Sequence, residues 1–136
     1  MGMARAGKSQ IDKVHLDTHI VLWLFDKELD RLSSRSKEYI DNSVLYYSPL
    51  VHLELQYLYE IKRIRDKPDT ILTELLVNIA LQSSELSFDA VIRQAVQNTW
   101  TRDVFDRVIV ADAQINNAPL ITADKTIQKH YKKALI

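Results

Sequence analysis

From Lys8 to Ile136 the chain contains no glycine. Its only two, Gly2 and Gly7, fall in the first ten residues, which read as a flexible tail (1–10) ahead of one domain spanning 11–136. Glycine is the default wherever φ must be positive or the backbone must approach a ligand closely. A glycine-free domain therefore excludes the P-loop and the dinucleotide-binding fingerprint, both of which cradle phosphate on glycine. Any phosphate handled here must be held by metal ions or cationic side chains. Helices must also stop on other residues, and Asn42 and the Asn116-Asn117 pair are the natural substitutes.

The 136 residues suffice for one domain with a full core, and 46% of them are hydrophobic, as a globular fold requires. Lys plus Arg balance Asp plus Glu at 18 each, so nucleic acid is not attracted by overall charge and any contact with it needs a local patch. Cysteine is absent, which removes disulfides, thiolate catalysis and cysteine-bound zinc, and suits a reducing compartment. The longest apolar run, Ile20 to Phe25, is far too short for a bilayer, and no signal-peptide core precedes it. A soluble, cytoplasmic protein with no membrane partner is expected.

Along the chain, strand patterns alternate with helical ones. Lys13 to Asp17 reads as a strand, Thr18 to Phe25 as a helix, and Ser33 caps a helix running to about Ile40. Val44 to Tyr47 is a β-branched and aromatic strand. Ser48-Pro49 then opens a helix expected to reach about Arg65, with Leu50, Leu53, Tyr57, Ile61 and Ile64 on one stripe and Glu54 inside it. Arg65 to Asp69 is a break, and Thr70 to about Leu81 another helix. Glu85 to Ser87 is a short strand at best, and Phe88 to about Asn98 is helical. A helix follows Arg102-Asp103-Val104-Phe105-Asp106-Arg107, then a strand over Pro119 to Thr122, a short basic helix over Lys125 to Lys132, and an edge strand over Lys133 to Ile136. This order predicts an α/β sandwich with a mainly parallel sheet.

Sites in such sheets form beyond the carboxyl ends of strands. Asp17 and Asp124 occupy that position, Glu54 lies two turns into the helix after the second strand, and Asp106 heads the helix before the fourth. Asp106 shares a helical face with Ile109, Val110 and Ala113, so its carboxylate heads a stripe that should be buried and needs a partner. Asp103 faces it across one turn, which is repulsive unless a cation lies between them. Taken alone, both are equally readable as first-turn acids satisfying a helix N-terminus. Converging carboxylates suit a hard cation with oxygen ligands, Mg²⁺ or Mn²⁺.

The ordered set Leu16-Asp17-Thr18-His19, Ser48-Pro49 with Leu53-Glu54-Leu55, Arg102 to Arg107, and Leu120-Ile121-Thr122-Ala123-Asp124 resembles PIN-domain ribonucleases of the VapC type, the toxins of bacterial toxin–antitoxin pairs. The likeness covers roughly Lys13 to Ile136. It implies a three-layer fold with a five-stranded sheet in order 3-2-1-4-5. It further implies an acidic cluster of Asp17, Glu54, Asp106 and Asp124 holding Mg²⁺ or Mn²⁺, with Asp103 an added carboxylate and Thr18 and Thr122 as polar supports. The expected reaction is hydrolysis of RNA, leaving 5′-phosphate and 3′-hydroxyl ends, with Arg102, Arg107, Lys125 and Lys129 near enough in sequence to hold phosphates. A homodimer and a small antitoxin docked on the 50–64 and 70–81 helices, where Tyr57, Leu58 and Tyr59 crowd the surface, also follow from the resemblance. Val104 departs from it, since close relatives usually carry proline there.

Two other readings compete. His15 shares a strand face with Asp17, and His19 and His52 lie close to the acids in sequence, so a metal-independent histidine acid–base ribonuclease is conceivable. A non-catalytic protein-binding module could also keep an acidic pocket. A phosphoacceptor receiver fits poorly, because it wants paired acids after its first strand and this chain has Asp17 followed by Thr18.

Overall fold

The computed structural model describes residues 12–136; the tail expected at 1–10 lies outside the described residues. Strands β1 (Lys13–Leu16), β2 (Val44–Tyr47), β3 (Gln82–Ser83), β4 (Leu120–Ile121) and β5 (Ala134–Leu135) form one sheet in order β3-β2-β1-β4-β5. Every pairing is parallel, with His15 opposite Tyr46 on one side and Leu120 on the other. Seven helices flank the sheet: α1 (Thr18–Phe25), α2 (Ser34–Asn42), α3 (Pro49–Glu60), α4 (Pro68–Ile79), α5 (Phe88–Ala95), α6 (Val104–Ile115) and α7 (Lys125–His130). This is the sheet order and layering that the resemblance implies. Among the described residues no helix is long and apolar enough to cross a membrane.

A parallel sheet covered on both faces has no solvent side, so its strands lose their polar alternation. Val14, His15 and Leu16 are all buried, as are Leu120 and Ile121. Their aliphatic side chains contribute roughly 1.5–3 kcal/mol each on burial. Because β1 and β4 run the same way, the segments leaving them emerge together at one end of the sheet. The Leu16–Ile121 register sets Asp17 beside Thr122.

The helices begin on side-chain caps. Ser33, Ser48 and Ser87 accept from Ser36, Leu50 and Ala90 backbone N–H groups, and Asp17, Asp103 and Asp124 do the same for α1, α6 and α7. Four helices end by placing a residue in the left-handed region without glycine: Lys27, Lys62, Ala80 and Asn117, with φ between 50° and 63°. At three of them the next N–H reaches back five residues, Glu28 to Trp23, Arg63 to Leu58 and Ala118 to Ala113, which satisfies a terminal carbonyl. At the fourth, Leu81 reaches back to Leu75. Asn117 acts as expected. Asn42 does not: it is the last residue of α2, its amide bonds the Glu38 carbonyl, and the chain leaves through an extended Ser43.

Several boundaries differ from the sequence-based expectations. α3 ends at Glu60 rather than near Arg65, because Ile61 caps it and Lys62 turns left-handed. β3 is the polar pair Gln82–Ser83, not Glu85 to Ser87; it is held by backbone pairing to Tyr46 and Tyr47, which leaves no side-chain signature. α5 stops at Ala95 instead of Asn98. The expected apolar stripe of α3 is also rotated. Val51 and Leu55 are fully buried against the core, whereas Leu53, Tyr57 and Ile61 are exposed. α3 packs against α6, α4 and α1, and those neighbours rather than the longest apolar row select the inward face.

Candidate functional site

Asp17 ends β1 and caps α1, which fixes its carboxylate. Oδ1 accepts from the Thr18 N–H at 2.8 Å, and Oδ2 accepts from Thr122 Oγ1 at 2.6 Å. The side chain is only 6% exposed. Burial pushes its pKa up, opposed by the hydrogen bonds from Thr122 and Thr18, with the field of Asp124 adding to the rise. Thr122, fully buried after β4, also accepts from the Asp124 N–H at 3.0 Å, so one hydroxyl ties the ends of β1 and β4 together.

Glu54 reaches the same place from α3. Thr18 Oγ1 donates to its Oε1 at 2.5 Å. Burial raises its pKa, the Thr18 bond opposes this, and Asp17 and Asp103 raise it further. Asp124 caps α7, its Oδ1 accepting from Thr126 and Ile127 N–H groups at 2.8 and 3.0 Å. Asp103 caps α6 by accepting from the Asp106 N–H at 3.1 Å. The helix-capping reading is thus correct for Asp103, and capping and clustering coexist in Asp17 and Asp124.

Asp106 is where the fields add. Its pKa is pushed up to about 7, first by burial and then by Asp103, Asp17, Asp124 and Glu54. All five acids expected from the sequence are therefore within one another's electrostatic reach. Among the described residues none of them pairs with a cationic side chain; the ion pairs present are Arg31–Glu28, His52–Asp69 and Arg93–Asp89. A buried carboxylate surrounded by like charge calls for a counter-ion, and an all-oxygen donor set fits a hard divalent cation. As the side chains stand, no three Asp, Glu or His among the described residues are arranged to hold one. The two facts are compatible: the acids are close enough to repel, while Asp17, Asp103 and Asp124 are turned onto helix-start amides and threonine hydroxyls.

The cations proposed for phosphate are divided. Arg102 donates to the Thr99 carbonyl at 3.0 Å and Arg107 to the Thr101 carbonyl at 2.8 Å, so both guanidinium groups brace the loop before α6. Lys125 and Lys129 are exposed on α7 beside Asp124. Of the histidines, His15 is a core residue whose Nε2 meets the Asn116 amide at 2.9 Å; burial and then Lys13 push its pKa down to about 4. His52 reaches Asp69, and His130 stacks on Trp100. His19 is the one whose charge acts on Asp17 and Glu54.

Sequence reasoning passed over one buried acid. Asp112 sits in α6 amid the apolar run Val108 to Ala113 and is 1% exposed. Ser84 Oγ donates to it at 2.8 Å, and Ser48 also hydrogen-bonds it. The signal was present: Asp112 lies on a helix whose other buried positions are all apolar.

No curated protein sequence matches the chain. Among solved structures, a chain of VapBC2 from Rickettsia felis, crystallised bound to a DNA fragment from the promoter, superposes with a TM-score of 0.63. The match covers 90% of this chain and 96% of that one at 18% identity, which speaks for the fold. The sequence profile of the PIN domain matches residues 14–133, from within β1 to the residue before β5. That span takes in every strand junction from which the acids emerge, and the chain belongs to the PIN-domain family.

Proposed function

We propose that the protein is a metal-dependent endoribonuclease acting as the VapC-type toxin of a toxin–antitoxin pair. The observation that carries this reading is Asp106, raised to about 7 by burial and four surrounding carboxylates with no cationic side chain paired to any of them among the described residues. Membership of a nuclease family and a VapBC structural neighbour support it.

Asp17, Glu54, Asp106 and Asp124 would hold Mg²⁺ or Mn²⁺, with Asp103 adding negative charge. When bound, the cation supplies Lewis acidity toward the phosphodiester and a water of lowered pKa. The chain's own contribution is orientation. Thr122 holds Asp17 from the β4 side, Thr18 holds Glu54, and the burial of Asp17 keeps its carboxylate from swinging into solvent. Lys125 and Lys129, exposed beside Asp124, are placed to meet RNA phosphates; Arg102 and Arg107 retain free N–H groups for the same purpose. Products carry 5′-phosphate and 3′-hydroxyl ends.

Exposed apolar side chains support the partner assignment. Leu53, Tyr57 and Ile61 on α3 and Leu76 and Val77 on α4 are all more than 40% exposed, a surface of the kind an amphipathic partner helix covers. We assign it to a small antitoxin, with self-association into a homodimer in the cytoplasm. The testing experiment is cleavage of a mixed RNA pool across a Mn²⁺ titration, with Asp17→Asn and a chelator beside it. Cleavage that survives both would instead favour histidine chemistry at His19; a chain that binds its partner and never cuts would be a binding module.

A further inference from the structure

Asp112 takes no part in the carboxylate site, yet burying an ionisable group amid Val108 to Ala113 is costly where an apolar residue would pack freely. Its surroundings say what it does. The Leu50 N–H donates to Ser48 Oγ at 3.1 Å, and Ser48 hydrogen-bonds the Asp112 carboxylate. A polar chain thus runs from the first turn of α3 into the middle of α6. Ser84 donates to the same carboxylate from the loop after β3, an element that carries no site acid.

α3 and α6 lie antiparallel. Ser48 meets Asp112 at one end, and Tyr57 meets Phe105 at the other with ring centroids 6.1 Å apart. Glu54 and Asp106 fall between these contacts. Six residues separate Ser48 from Glu54, and six separate Asp106 from Asp112, about 9 Å along each helix axis. The two pairs are matched rungs of one helix pair, so a slide or rotation at the first displaces the second equally.

We infer that Asp112 is a positioning residue which, through Ser48, sets the register of α3 against α6 and so the spacing of Glu54 and Asp106. This rests on the metal-dependent reading of the site. Groups that orient metal ligands without touching the metal typically change its affinity about 10- to 100-fold when removed.

The test measures Mn²⁺ binding by calorimetry and stability by urea unfolding on the full chain, for wild type, Ser48→Gly, Ser84→Ala and Asp112→Leu. Glycine at the cap costs only a few tenths of a kcal/mol in helix stability, so Ser48→Gly removes the link and keeps α3. Mn²⁺ affinity is expected to fall about 10-fold in Ser48→Gly and Asp112→Leu, and to stay within about twofold of wild type in Ser84→Ala. Ser84→Ala breaks a hydrogen bond to the same carboxylate without touching α3. Unchanged affinity in Ser48→Gly, or losses in Ser48→Gly and Ser84→Ala that simply track urea stability, would overturn the inference; Ser48→Gly decides it if Asp112→Leu does not fold. Wild type that binds Mn²⁺ but cuts no RNA refutes the nuclease reading and leaves the register role standing. Wild type that binds no Mn²⁺ overturns both.

Discussion

Asp106 and Asp112 are on the same helix, six residues apart, and both have raised pKa values. Their surroundings are opposite. Asp112 is sealed in the core and compensated: burial raises it, and hydrogen bonds from Ser84 and Ser48 pull it back. Asp106 is less buried and uncompensated, and after burial every influence on it is another carboxylate. Displacement from the ordinary value therefore does not by itself mark a site. What distinguishes one is a displacement the fold leaves unanswered, because an unanswered charge has free energy available to a ligand.

The sharpest way to break this contrast is activity. Asp106→Asn is expected to abolish RNA cleavage, a loss of at least about 1,000-fold, equivalent to roughly 4 kcal/mol in the barrier, while the fold is kept; Asp17→Asn should match it and Asp103→Asn should lose less. Single-turnover cleavage at saturating Mn²⁺ checks this, and wild-type rates in Asp106→Asn would sink the assignment.

The next effect is on stability with metal. Wild type should gain about 2.7 kcal/mol at 100 times the dissociation constant for Mn²⁺, read as a rise in melting temperature, and Asp106→Asn should gain much less. Equal gains would mean that the ion binds elsewhere.

Removing the compensated acid should act the other way. Asp112→Ala leaves two serine hydroxyls facing an apolar gap and is expected to cost about 1–3 kcal/mol in urea unfolding, where Asp106→Asn relieves repulsion and costs little. Reversal of that order would show that Asp106 is the structurally compensated group.

The smallest effect is a pH slope. In metal-free protein the folded state holds the Asp106 proton up to about 7, against an ordinary value of 3.8. Between these values the native state binds more protons than the unfolded one, so stability falls as pH rises through the window. His15, lowered to about 4, works oppositely: the unfolded state takes up its proton first, and stability falls as pH drops from about 6.5 toward 4. The difference between wild type and Asp106→Asn therefore isolates the carboxylate. Parallel curves for the two proteins would count against the coupling.

Much of this was legible in the residues, for physical reasons. Asp17 and Asp124 stand where strand patterns stop, and Asp106 heads a helical stripe, so side-chain periodicity located them. Glu54 was found by helical phase although the stripe around it was misjudged: periodicity identifies an apolar row, but α6, α4 and α1 decide that Val51 and Leu55 turn inward while Leu53 and Tyr57 do not. β3 was missed because Gln82 and Ser83 join the sheet through backbone alone. Asp112 was missed because its partners, Ser48 and Ser84, are distant in sequence.

The four left-handed helix ends built without glycine have a consequence for the unfolded chain. Each of Lys27, Lys62, Ala80 and Asn117 carries a side chain into a region that disfavours it. Yet a segment from Lys8 to Ile136 without glycine also has fewer conformations to abandon on folding. Replacing a glycine by alanine where the native backbone allows it is worth about 0.4–1 kcal/mol through the denatured ensemble. A domain of average composition, about 7% glycine, forgoes that gain many times over. The strain is therefore confined to four helix ends, whereas the narrowing of the denatured ensemble extends along nearly the whole chain. Stability here is drawn in part from what the unfolded protein is unable to do.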